Sequence, residues 1–99
     1  MTMLSTVAPR GRMAAPALRP VVVYGRRWCA LTQMVRRYLD RSAIPYRYVD
    51  LDQHPEVHSQ LAWMTGGRVV NPVVDIGGEL VVQPSIGELQ WALRRSGRR

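Results

Sequence analysis

The fold is decided by residues 21–32, which read VVVYGRRWCALT. The uninterrupted apolar run Val21–Tyr24 is typical of a strand that is covered on both faces. A glycine and two arginines then lead to Cys29, the single cysteine of the chain. The apolar residues after it are spaced as on one face of a helix: Leu31, Met34, Val35, Tyr38 and Leu39. This pattern predicts a buried strand, a bend, and a helix that begins at Cys29.

The position of Cys29 predicts a reactive thiol. Unpaired N–H groups and the positive end of the helix dipole favour the thiolate, which is the nucleophilic form. A helix N-terminus contributes roughly 0.3–1 kcal/mol, whereas lowering a thiol pKa by about two units requires about 2.7 kcal/mol. We therefore expect Arg26 or Arg27 to supply the remainder. The alternative is a buried cysteine that serves only as a small hydrophobic side chain.

Length and composition indicate a single globular domain. The chain has 99 residues, of which 46% are hydrophobic, and one cysteine excludes an internal disulfide. Cys29, His54 and His58 are too few ligands for a structural zinc site, so no metal is expected. The net charge of +7 comes from arginine, with no lysine. Many of these arginines lie near the two ends, which indicates solvated tails rather than a specific nucleic-acid site.

The first 19 residues differ in composition from the rest, because they are rich in Pro, Ala and Arg and contain no acidic residue. We predict a disordered tail at residues 1–19 and a domain at residues 20–97. No apolar run is long enough for a secretory signal or a membrane span, so a cytoplasmic monomer is expected. An organellar transit peptide, or a later start at Met3 or Met13, is the alternative for the tail.

The middle of the chain predicts a second strand and a second helix. The first helix should end near Ser42, because Ile44-Pro45 breaks it. Residues 46–50 alternate as a strand, which a helical crossover makes parallel to the first. Asp52 is expected to cap the next helix, which should end at Gly66-Gly67. The residues expected on its buried face are Val57, Leu61 and Met64.

The last third predicts a hairpin followed by a helix. Residues 72–76 and 79–82 flank Gly77-Gly78, a typical two-residue hairpin turn. Ser85 and Glu88 have the spacing of a capping box, and the apolar face of the helix after them comprises Ile86, Leu89, Ala92 and Leu93. Trp63 and Trp91 are interpreted as packing residues on their helices. The order β-α-β-α-β-β-α predicts an α/β fold with a four-stranded mixed sheet and three flanking helices.

This order resembles a glutaredoxin of the thioredoxin fold over residues 20–97, and it is most similar to the mycoredoxin-like branch. The strand-to-cysteine passage matches, including Trp28 before Cys29, and Arg26 falls where many relatives have a lysine. Pro72 matches the cis proline of the family. The turn Gln83-Pro84-Ser85 matches the Asn/Gln-Pro-Ser of the branch.

Two positions depart from the family pattern. Thr32 replaces the second thiol of Cys-x-x-Cys, which makes this a monothiol Cys-x-x-Thr motif. Val70-Asn71 replaces the Thr-Val that precedes the family's cis proline. The Thr32 hydroxyl can donate a hydrogen bond to the Cys29 thiolate, but only a sulfur can resolve a mixed disulfide.

The resemblance implies a binding site for a small thiol around Cys29. A cis Pro72 would let residues 70–71 pair with a tripeptide thiol in β fashion, and Ser85 and Arg26 would hold its carboxylates. The supporting residues would be Arg27, Trp28, Leu31, Thr32, Asn71 and Gln83, with Trp28 at the rim.

The function that this resemblance implies is thiol–disulfide exchange. The chain would reduce mixed disulfides between proteins and a low-molecular-weight thiol through Cys29. Mycothiol or glutathione would be the co-substrate, and no cofactor would be tightly bound. The alternatives are a catalytically inactive binding module and a carrier of an iron–sulfur cluster shared by two chains.

Overall fold

The computed structural model describes residues 20–67 and 71–97. Its elements are β1 (Val21–Gly25), α1 (Ala30–Arg41), β2 (Tyr46–Asp50), α2 (Pro55–Met64), β3 (Val73–Ile76), β4 (Glu79–Val82) and α3 (Ile86–Arg95). The predicted order of strands and helices is thus confirmed. The tail predicted at residues 1–19 lies outside the described residues. Among the described helices, none has the length and apolar character that crossing a membrane requires.

The sheet has four strands in the order β2-β1-β3-β4. β1 and β2 are parallel, with Val21 opposite Tyr46 and Gly25 opposite Asp50. β3 runs antiparallel to both β1 and β4, so the sheet is mixed, as predicted. Because β1 is a central strand, the turn that follows it and Cys29 lie near the middle of the end of the sheet at which β1 terminates.

Helices cover both faces of the sheet, and the two faces have separate cores. The larger core joins β1 and β3 to α1 and α3. Its buried residues are Val21, Val23, Val35, Leu39, Ile44, Val74, Ile76, Leu89, Ala92 and Leu93. The smaller core lies under α2 and contains Leu51, Leu61 and Val73. Val21 and Val23 of β1 are fully buried toward α1 and α3. Val22 and Tyr24 on the opposite face are half-buried, so the cover predicted for both faces is complete on one of them.

The capping box predicted for α3 is confirmed. The backbone N–H of Glu88 donates to Ser85 Oγ at 3.1 Å, and the backbone N–H of Ser85 donates to Glu88 Oε1 at 2.8 Å. The prediction that Asp52 caps α2 is wrong. That helix begins at Pro55, after His54, and has no side-chain cap. The carboxylate of Asp52 instead pairs with Arg26 across the ends of β1 and β2.

The packing role predicted for three side chains is also wrong. Trp63 is 87% exposed, Met64 61% and Trp91 57%. Trp63 follows the buried Leu61 by two residues, which places it on the opposite face of α2, and Met64 is the last residue of that helix. Trp91 is more than half exposed on α3, where the guanidinium of Arg95 lies 4.1 Å from its ring centroid.

Candidate active site

Cys29 is held in a short turn between the end of β1 and the start of α1. It is the N-cap residue of α1, with extended backbone (φ −82°, ψ 123°), and it is partly exposed. Its N–H donates to the Arg26 carbonyl at 3.1 Å, and its own carbonyl accepts from the Gln33 N–H at 3.0 Å. The side-chain amide of Gln33 donates to the Arg27 carbonyl at 2.9 Å. The predicted position of the thiol, at the first turn of a helix, is confirmed.

The surroundings of Cys29 lower the pKa of its thiol. Burial acts to raise that pKa, but hydrogen bonds to the sulfur outweigh it. The donors are the backbone N–H and the hydroxyl of Thr32, the backbone N–H of Leu31 and the side chain of Asn71. Each of these donors favours the thiolate, because a hydrogen bond to a charged acceptor is stronger than a hydrogen bond to a neutral acceptor.

The expectation that an arginine supplies part of this effect is wrong. Neither Arg26 nor Arg27 is among the groups that lower the pKa of Cys29. The Arg26 guanidinium pairs with Asp52, and the Arg27 guanidinium lies 5.9 Å from the ring centroid of Trp28. The thiolate is therefore stabilised by dipoles of its own helix and of the segment before β3.

Thr32 lies directly behind the sulfur and is fully buried. Its hydroxyl has no partner with full hydrogen-bond geometry within the described residues, and its effect is on the Cys29 thiol, whose pKa it lowers. Gly25 packs against it so closely that a Cβ at position 25 would lie 2.5 Å from Thr32 Oγ1. The glycine at the end of β1 is thus required by the side chain one helical turn past the cysteine, a link that only the folded chain shows.

The segment before β3 forms the other side of the site. The Asn71-Pro72 peptide bond is cis, as the resemblance implies, and Pro72 is buried. Asn71 reaches the sulfur through its side chain, while Val70 lies outside the described residues. The Pro72 carbonyl accepts from the Gln83 N–H at 2.7 Å. This bond extends the β3–β4 pairing by one step and ties the turn before α3 to Pro72.

Two large apolar side chains close to Cys29 in the sequence are exposed. Trp28 is 83% exposed and Leu31 is 38% exposed, and they flank Cys29 in sequence on either side. Large apolar side chains that remain in water beside a reactive group are typical of a surface that a ligand or substrate covers. The structure thus groups Cys29 with Leu31, Thr32 and Asn71 by direct interaction, and with Trp28 by its place in the turn.

Two carboxylates in this region were not recognised from the sequence as parts of the site. Asp52 forms an ion pair with Arg26, and Glu88 accepts a hydrogen bond from the backbone N–H of Ser85. The capping-box spacing already indicated the second contact. The first contact depends on the parallel register, which sets Gly25 opposite Asp50, and the sequence alone did not indicate that register.

The described residues contain no group of three or more His, Cys, Asp or Glu side chains that could hold a metal ion. His54 lies 3.4 Å from Glu56, on the exposed start of α2. No second histidine joins it in a ligand cluster within that part of the chain.

Comparisons with known proteins show which family and which solved structures this chain is similar to. The glutaredoxin family model matches residues 21–81. A glutaredoxin from the hybrid Populus tremula x tremuloides, solved in its holo form, is 29% identical, with a TM-score of 0.63 over 78% of this chain and 85% of that one. The buckwheat glutaredoxin–glutathione complex is 26% identical, with a TM-score of 0.65 over 79% of each chain. A glutaredoxin from Archaeoglobus fulgidus is 20% identical, with a TM-score of 0.67 over 75% of this chain and 85% of that one, and shows the fold alone.

A search of curated protein sequences gives no match. The structural matches have a thioredoxin-like fold, with the same mixed sheet and flanking helices. The family match extends from the first residue of β1 into β4 and includes Cys29, the cis Pro72 and the strands that position them. Family and fold together support a role in thiol–disulfide chemistry. The chain belongs to the glutaredoxin family.

Proposed function

We propose that this protein is a monothiol thiol–disulfide oxidoreductase that reduces mixed disulfides between proteins and a low-molecular-weight thiol through Cys29. The observation that carries the proposal is the lowered pKa of a partly exposed thiol on which hydrogen-bond donors from two segments converge. A thiolate at neutral pH is what attack on a disulfide requires.

The first half-reaction transfers the small thiol to the protein. The Cys29 thiolate attacks the small-thiol sulfur of the mixed disulfide, a new S–S bond forms, and the substrate protein leaves as a thiolate that takes a proton from water. Leu31, Thr32 and Asn71 donate to the Cys29 sulfur before the attack. Trp28 and Leu31 would contact the incoming ligand or substrate peptide.

The second half-reaction requires another small thiol, because Thr32 cannot attack a disulfide. The thiolate of this second molecule attacks the sulfur of the first, so that the S–S bond to Cys29 breaks and the Cys29 thiolate is regenerated. The second small thiol is thereby oxidised, because it forms a disulfide with the first, and the substrate protein is reduced.

Glutathione or mycothiol would serve as this co-substrate. The buckwheat relative has been solved as a glutathione complex, and the mycoredoxin-like turn at Gln83-Pro84-Ser85 supports mycothiol. In this proposal Asn71 and Pro72 present the edge against which the small thiol lies, while Arg26, Arg27, Gln83 and Ser85 surround it. We further propose a cytoplasmic monomer as the working form.

Intact-mass measurement of the purified protein tests the proposal. After incubation with glutathione disulfide or mycothiol disulfide, the wild type should gain one small-thiol adduct, and the Cys29→Ser variant should gain none. Addition of the free thiol should then remove the adduct. If no disulfide modifies Cys29, the protein is instead a binding module of this fold. Absorbance after anaerobic purification with iron and sulfide would separately reveal a cluster carrier.

A further inference from the structure

Two groups that a ligand carboxylate would use are already held by carboxylates of the chain itself. They are the Arg26 guanidinium and the backbone N–H of Ser85, which are paired with Asp52 and Glu88. The inference drawn from these pairs rests on the proposed function, because it concerns which small thiol the site accepts.

The pairing of Arg26 with Asp52 follows from the backbone. Leu51 N–H donates to the Gly25 carbonyl at 2.9 Å, so the contact between β1 and β2 continues past their last paired residues. Asp52 N–H then donates to Asp50 Oδ1 at 2.9 Å, which fixes the turn in which Asp52 lies. The Asp52 carboxylate therefore meets the Arg26 guanidinium, three residues before Cys29.

The pairing at α3 is equally local. Glu88 is the N3 residue of α3, and its carboxylate accepts from the Ser85 N–H at 2.8 Å, while Ser85 Oγ accepts from the Glu88 N–H. The negative charge that favours a helix N-terminus is thus supplied from inside the helix. A ligand carboxylate arriving there would have to displace Glu88 or share its donors against charge repulsion.

We propose that Asp52 and Glu88 are specificity-determining residues, which disfavour small thiols that bear carboxylates relative to thiols that bear none. Asp52 neutralises the Arg26 guanidinium before the ligand arrives. Glu88 places a negative charge at the Ser85 N–H, which the proposed function assigns to a ligand carboxylate. Arg27 remains as a cation at the site, but its guanidinium lies over the Trp28 ring.

The discrimination is modest in size, because both pairs are exposed to solvent. The Arg26 and Asp52 side chains are about half exposed, and pairs of that kind contribute little after screening by water. We expect removal of one carboxylate to change the preference by about three- to fivefold.

The test compares two forms of one donor, glutathione disulfide and its tetraethyl ester, which lacks all free carboxylates. In both reactions the Cys29 thiolate attacks the disulfide and releases one reduced molecule, so the rate of adduct formation can be followed by intact mass. The ratio of the two rates removes any effect of a variant on the pKa of Cys29, since that effect is common to both donors.

The variants are Asp52→Asn, Glu88→Gln and the control Glu56→Gln. Gln at N3 retains a capping box without the charge, and Glu56 is an exposed carboxylate that contacts His54 rather than Arg26. We expect the wild type to react faster with the tetraethyl ester than with glutathione disulfide, because both carboxylates of the protein oppose the unesterified donor. Asp52→Asn and Glu88→Gln should each raise the ratio in favour of glutathione disulfide about three- to fivefold, whereas Glu56→Gln should leave it unchanged.

Two results would overturn the inference while leaving the proposed function intact. One is a wild type that reacts faster with the unesterified donor, and the other is a ratio that neither site variant shifts beyond the control. If neither donor modifies Cys29 in any variant, the proposed function itself fails, and the inference fails with it.

Discussion

Removal of the Thr32 hydroxyl should raise the pKa of Cys29 and increase stability in the thiol form. Thr32→Val keeps the shape of the side chain and the backbone N–H, and removes one of the four donors that lower the thiol pKa. A hydrogen bond to a charged group contributes about 1.5–3 kcal/mol, and 1.36 kcal/mol corresponds to one pKa unit. Because the sulfur is partly exposed, we take the lower end of that range as the thiolate stabilisation that is lost, and we expect the pKa of Cys29 to rise.

The same substitution has a stability effect with a defined pH dependence. A cysteine whose folded-state pKa is lowered stabilises the fold above its unfolded-state pKa, and this contribution disappears as the pH falls through the folded-state value. In the wild type, stability should therefore rise with pH across that interval, and in Thr32→Val the rise should be smaller. Below the interval, the variant should equal or exceed the wild type, since the buried hydroxyl then lacks a regular partner.

Thiolate absorbance in the ultraviolet, recorded against pH, measures the pKa, with Cys29→Ser as the blank. Urea unfolding at several pH values measures the stability. Thr32→Ser keeps the hydroxyl and should titrate close to the wild type. An unchanged pKa in Thr32→Val, or the same rise in Thr32→Ser as in Thr32→Val, would refute the role of the hydroxyl.

Three further predictions concern the geometry around the thiol. Thr32→Cys should form an internal disulfide with Cys29, because residues three apart at a helix start meet the Cα spacing of roughly 4.4–6.8 Å, and loss of both free thiols on oxidation would show it. Gly25→Ala should destabilise the fold by about 1–3 kcal/mol through overpacking, because the new Cβ would lie 2.5 Å from Thr32 Oγ1. Urea unfolding that matches the wild type would contradict that contact. In a variant whose only tryptophan is Trp28, adduct formation should change the fluorescence, and an unchanged spectrum would exclude its role at the rim.

The elements and the position of the reactive thiol could be predicted because local patterns determine them. The apolar run of β1, the glycine bend and the helical spacing after Cys29 all lie within a few residues of one another. The capping box of α3 is equally local, since Ser85 and Glu88 are three residues apart. In these segments the local structure is determined by residues close in sequence, and contacts with distant segments are not needed to predict it.

The contacts that could not be predicted depend on which segments meet in space. Arg26 was expected to act on the thiolate, but its partner is set by the register between β1 and β2. The exposure of Trp63 and Trp91 depends on which face of each helix the sheet covers. The donation from Asn71 to the sulfur joins segments that lie 42 residues apart in the printed sequence.

The strand order also determines how the sheet meets the solvent at its sides. β2 and β4 are the two outer strands, and each carries an exposed charged side chain, Arg47 on β2 and Glu79 on β4. Glu79 is further engaged by Arg95 from α3. If a strand from another chain paired with β2 or β4, it would bury one of these charged side chains, and burial of an unpaired charge costs free energy. The charged side chains of both edge strands therefore oppose aggregation by strand pairing.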